Sequence, residues 1–156
     1  MRRILSPITN FIWKEYIRAN RLNWFLDLNM NTKWIEDLPT KCPPESAVPS
    51  EKTFYRLVET IPPSMKDFWS NWKLTPKRSF KVSECIAKAC SIFDNPKDCT
   101  RQKKYTCHKH KKVIEIKMNP NHGVLENTGK NSHYSWWITG SLKIDQLVFE
   151  EVHDQA

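Results

Sequence analysis

The stretch KVIEIKM, residues 112–118, decides how the rest of the chain is read. Val113, Ile114 and Ile116 are β-branched and interleave with Lys112, Glu115 and Lys117, the composition of a strand on a half-buried sheet. It is the clearest strand in the sequence. Immediately before it runs CTRQKKYTCHKHK, residues 99–111, with two cysteines, two histidines and a dense set of cations. Whether that run is a metal site, a grip for a polyanion or a solvated loop governs the function.

Working outward, further strands follow from the same texture. TFYRLVE (53–59) alternates Phe54, Arg56 and Val58 against Tyr55, Leu57 and Glu59. VLEN (124–127), HYSWWIT (133–139) and QLVFEEV (146–152) read as strands too, with NPNHG (119–123) a turn closed by Gly123. PPSMKDFWSNW holds a short helix capped by Ser64, and DNPKDCTRQKKY a helix with Asn95 as cap and Pro96 at its first position. FKVSECIAKACSIF (80–93) mixes helix and strand formers and stays open between them. On adjacent strand positions Trp136 and Trp137 face opposite sides, so one is expected in the core and the other on the outer face near His133.

Toward the N-terminus, Ser6 and Pro7 open a helical region of residues 6–38, with Ile8, Phe11, Ile12 and Tyr16 as its apolar stripe. Leu22, Phe25 and Leu26 follow in a second run. Four prolines between Pro39 and Pro49 then make a strap. The expected organisation is a helical segment 1–38 packed on the main body, a Pro-rich strap 39–52, and an α+β body 53–156. Its fold class is α+β: N-terminal helices, then a mostly antiparallel sheet with one or two interspersed helices.

The 156 residues carry a formal charge of +8. Six cations (Arg101, Lys103, Lys104, Lys109, Lys111, Lys112) and no acid lie between residues 101 and 112, so most of the excess is local. A block of this kind steers an anionic partner. Backbone phosphates are the natural counterpart, with Tyr105 and one tryptophan as stacking faces and His108 and His110 adding charge below about pH 6.5. Five or six phosphate contacts give a log K against log[salt] slope of order −4 to −5. Zinc is the competing use of Cys99, Cys107, His108 and His110, but the closely paired cysteines of structural zinc sites do not occur. Three glycines cannot build a phosphate-cradling loop, and no Gly-x-Ser-x-Gly elbow is present. Five cysteines is an odd number, and no signal peptide or membrane span is read, so reduced thiols, a cytoplasmic location and no membrane partner are expected.

The order FYR, DFWSNW, ACSIF, KVIEIKMNPNHGVLENTG and SHYSWW resembles small bacterial proteins of no established activity, over about residues 53–139. An aromatic–Arg strand, a Ser-x-Phe strand and a late glutamate also resemble the strand order of ADP-ribosyltransferase-like proteins. That resemblance implies NAD as cofactor, Arg56, Ser91 and Glu150 as the residues that hold it, and His133 in the same pocket. The chemistry implied is transfer or hydrolysis of an ADP-ribosyl group, as in a small toxin. Ser91 lacks the Ser-Thr-Ser run of that family. Three functions therefore stand: binding of RNA or single-stranded nucleic acid by Arg101, Lys103, Lys104, Tyr105, Lys109, Lys111 and Lys112 without a cofactor; an NAD-consuming enzyme; and a protein–protein component of a bacterial conflict system with exposed tryptophans as anchors.

Overall fold

The chain divides into two compact units, Met1–Lys33 and Trp34–Ala156. The computed structural model describes residues 33–153. The helix expected from Ser6 and its apolar stripe therefore lie outside the described residues, as does the Leu22–Phe25–Leu26 run. Its expected continuation to residue 38 is not helical. Trp34 bridges Thr139, and the Ile35 N–H donates to the Ile138 carbonyl at 3.0 Å. Pairing with the sheet gives that backbone the partners a helical turn would otherwise supply.

Six antiparallel strands form one sheet: β1 (Thr53–Val58), β2 (Cys90–Phe93), β3 (Lys112–Lys117), β4 (Gly123–Asn127), β5 (His133–Ile138) and β6 (Phe149–Val152). Their order is β4-β5-β2-β1-β3-β6. The helices among the described residues are short and interspersed: α1 (Asn71–Leu74), α2 (Glu84–Ala87) and α3 (Pro96–Arg101). The ambiguous stretch 80–93 is both things in turn. Ser83 caps α2, its hydroxyl accepting from the Ile86 N–H at 3.4 Å, and β2 follows after Ala89.

Strand alternation builds two faces. On one, Phe54, Val58, Cys90, Ile92, Ile114, Ile116, Leu125, Trp136 and Ile138 join Phe68, Met118, Leu142 and Leu147 in the main core. Phe68, from the turn Met65–Phe68 that Ser64 caps, meets Trp136 edge-on at 6.0 Å. The register fixes this face: Phe54 lies opposite Ile116, and both Cys90 and Leu125 lie opposite Trp136. A one-residue slip would send the whole set to the other side.

The second face is covered as well, which corrects the expectation for the tryptophan pair. Both Trp136 and Trp137 are fully buried. Trp137 points away from the main core, and its indole N–H donates to the Cys85 carbonyl of α2 at 2.9 Å. A two-sided sheet buries both members of such a pair. The strap shields the β4 edge: Val48 and Leu125 exchange backbone hydrogen bonds of 2.9 and 2.8 Å, and Ala47 is fully buried. Close approach of chains here also demands Gly123, which has φ +128° and would put a Cβ 2.0 Å from the Trp137 carbonyl oxygen.

A disulfide joins Cys42 of the strap to Cys85. The expectation of wholly reduced thiols is thus wrong; Cys90, Cys99 and Cys107 remain as thiols. Counting cysteines could not show that two of them, 43 residues apart, meet across the strap. Cystines persist in oxidising surroundings, so the thiol argument for a cytoplasmic location falls with it. No described helix is long and apolar enough to cross a membrane.

Candidate functional site

Between β2 and β1 the pairing is sparse, with Tyr55 opposite Phe93 as its register point. Arg56 fills the gap on the core side. Its Nε donates to the Asp67 carbonyl at 2.6 Å and an Nη to the Ser91 carbonyl, while the guanidinium lies 5.9 Å from the Phe68 ring centre. Asp67 is itself buried, accepting from the Glu59 N–H at 2.7 Å, the Ser64 N–H at 2.8 Å and the Ser64 hydroxyl at 3.0 Å.

On the other face α3 packs against β1, β2 and β3, with Cys99 fully buried beneath it. Asn95 caps the helix, accepting from the Lys97 N–H at 2.9 Å, and Pro96 takes the first position. The helix ends at Arg101, a turn Gln102–Lys104 continues it, and extended backbone at Tyr105 stops it. This is the helix expected from the sequence, and it brings Arg101, Lys104 and Tyr105 to one place.

The β4–β5 loop is tied to that place through Asp98. One carboxylate oxygen accepts from the Ser132 hydroxyl at 2.7 Å, and the other pairs with Arg101 at 2.9 Å. A cleft of about 420 Å³ lies between helix and loop, lined by Phe93, Asp98, Arg101, Gln102, Lys104, Tyr105, Gly129, Lys130, Asn131 and His133. The His133 ring meets Phe93 edge-on at 5.3 Å, and burial lowers its pKa, so the imidazole is neutral at pH 7. Gly129 leaves room for that ring: a Cβ there would come within 2.6 Å of His133 Nδ1. Tyr105 is half-exposed, with the Lys104 ammonium 5.0 Å from its ring centre.

The cationic run thus divides. Lys111 pairs with Glu59 at 3.1 Å, His110 with the same carboxylate at 2.5 Å, and Lys112 with Glu151 at 3.2 Å. Burial acts to raise the Glu59 pKa, but hydrogen bonds from His110 and Lys111 outweigh it and hold the carboxyl below its usual range. Two of the six cations are therefore partly neutralised by acids distant in sequence. Lys109 is exposed, and Lys103 is half-buried at the foot of the α3 extension. Burial and the Lys111 charge lower the His108 pKa, so that ring gains charge at lower pH than its sequence context suggests.

Of the zinc candidates, Cys99 is buried, with its thiol pushed up to about 12 by desolvation, whereas Cys107 is exposed. Among the described residues no three His, Cys, Asp or Glu side chains gather in a metal-binding group. Of the NAD candidates, Arg56 reaches the Ser91 carbonyl, and Ser91 and His133 lie two register steps apart on neighbouring strands. Glu150 is on β6, opposite Glu115, three strands away from Ser91 and about 14 Å across the sheet.

Phe93, Asp98, Gln102, Asn131 and Lys130 escape a sequence reading that looks for charge density. The signal for Lys130 and Asn131 is the polar turn TGKNS after β4, which looks like a plain connection until α3 packs against it; Phe93, Asp98 and Gln102 carry no signal of their own. A second basic segment lies elsewhere: residues 68–83 hold four cations and no acid. There Lys73 caps the Trp69 ring at 4.3 Å, Lys88 lies 5.6 Å from Trp72, and Trp72 stacks on Phe80 at 5.6 Å. Its aromatic faces are occupied from within the molecule.

Comparison of the chain with protein families, curated proteins and solved structures returned no match.

Proposed function

We propose that the chain binds single-stranded nucleic acid across the cleft between α3 and the β4–β5 loop. One observation carries this: Arg101, Lys104 and Lys130, from two segments far apart in sequence, converge on a cleft walled by Phe93, Tyr105 and His133. Cations neutralise phosphates and release counterions, and aromatic walls accept bases without regard to sequence. Cleft size agrees with sites for small ligands. Lys109 extends the cationic surface beyond the cleft. Lys111 and Lys112 contribute less than their place in the sequence implies, because Glu59 and Glu151 oppose them; Arg101 also pairs with Asp98 but, 59% exposed, keeps its other guanidinium donors for the strand.

The salt signature shrinks accordingly. With about four phosphates contacted, a single strand gives a slope near −3. The test is an anisotropy titration of a fluorescein-labelled ten-nucleotide RNA at 50 and 200 mM salt. Affinity is expected to drop on the order of 60-fold between the two. The variant R101A/K104A/K130A is expected to bind weakly at either salt, with a slope near −1. Equal binding by this variant and the wild type would sink the proposal.

A further inference from the structure

Resting on that reading of the cleft, we infer that it takes one unpaired base of the bound strand, inserted toward Asp98, and favours bases that carry an exocyclic amino group. The polarity of the cleft supplies the argument. Its cations are at the outside: Arg101 has 59% of its side chain exposed, and Lys104 and Lys130 are exposed too. Its acid is inside, with 16% of the Asp98 side chain exposed. A phosphate pushed inward would meet that carboxylate. A phosphate left at the rim meets only cations, so the orientation that satisfies both is base in, backbone out.

The inner wall is chemically suited to a base edge. Asp98 keeps acceptor capacity, since each carboxylate oxygen can receive a second hydrogen bond beyond those from Ser132 and Arg101. Gln102 and Asn131 add amide donors and acceptors. Neutral His133 offers an edge rather than a charge. Carboxylates accept from the amino group of cytosine, whereas uracil presents a carbonyl oxygen at the equivalent position. A duplex hides these edges and stacks its bases, so insertion requires a single strand.

The experiment is competition for the cleft, read by anisotropy with the labelled RNA at 50 mM salt. Competitors are ten-nucleotide oligo(rC), oligo(rU) and an abasic strand of the same charge. Oligo(rC) is expected to compete about tenfold better than oligo(rU). The abasic strand is expected to be weakest. Asn131→Gly removes an amide from the polar wall while keeping the loop's φ of +62°, and should bring the rC/rU ratio toward one; Tyr105→Ala should weaken oligo(rC) and oligo(rU) alike; both should leave the salt slope unchanged. Equal competition by all three strands, with salt-sensitive binding retained, would overturn base insertion and leave the phosphate surface standing. Absence of binding by every strand would overturn both.

Discussion

The Cys42–Cys85 disulfide offers the sharpest test of how the fold is held. It closes a loop across 43 residues and fastens the strap beside the β4 edge, where Ala47 is buried and Val48 pairs with Leu125. Opening the cross-link restores loop entropy to the unfolded chain, which for this span lowers stability by about 4 kcal/mol at 25 °C. For a unit of about 120 residues that is a fall in Tm of about 15 °C. The perturbation is Cys42→Ser with Cys85→Ser, compared with wild type before and after dithiothreitol. The assay is urea unfolding followed by tryptophan emission, since Trp136 and Trp137 are both buried. The urea midpoint should fall, and the m-value should rise, because an uncrosslinked chain exposes more surface on unfolding. Reduced and oxidised proteins that unfold at one midpoint would refute the reasoning, since the strap would then contribute nothing through its cross-link.

Arg56→Ala should cost about 3 kcal/mol, because the carbonyls of Asp67 and Ser91 lose their donor where β1 and β2 diverge. Arg56→Lys should recover only part of this, since an ammonium cannot reproduce the planar fork. A cost under about 1 kcal/mol for Arg56→Ala, measured by urea unfolding, would free that residue for the NAD-holding role implied by the ADP-ribosyltransferase resemblance. Acid should destabilise the unit from below pH 6.5. Burial lowers the pKa of His108, His122 and His133 from an ordinary value of 6.5, so the unfolded chain takes up more protons and stability falls as pH drops. Glu59, held below its usual 4.5, adds to the loss at lower pH still. A urea midpoint unchanged between pH 7.5 and pH 5 would contradict this.

The strands were legible because their signal is local. Residues 53–59 alternate and residues 112–118 are rich in β-branched side chains, signals carried within each segment, and these two strands pair over six residues. Asn95–Pro96 marked α3 for the same reason: cap and first turn are contiguous in sequence. Trp137 was misplaced because alternation assigns a side of the sheet and says nothing about what lies on it. Its cover comes from α2 and the Cys85 carbonyl, about fifty residues earlier in the chain. The site was half visible. Arg101, Lys104 and Tyr105 announced themselves by charge and spacing. Lys130 and Asn131 join them through the Asp98–Ser132 hydrogen bond, a contact between residues 34 apart, and Phe93 through the packing of α3 on β2. Likewise, six cations in a row suggested one continuous surface, and it took the fold to bring Glu59 and Glu151 against its far end.

Where the strand lies is the question that matters most, and photocrosslinking answers it directly. A ten-nucleotide RNA carrying 5-iodocytosine, irradiated with the wild-type protein at 50 mM salt and mapped by peptide mass spectrometry, reports the aromatic side chains nearest the base. Binding in the cleft predicts adducts at Tyr105, Phe93 or His133, lost when unlabelled oligo(rC) is added. Adducts confined to Trp69, Trp72 or Phe80, in the other basic segment, would contradict it.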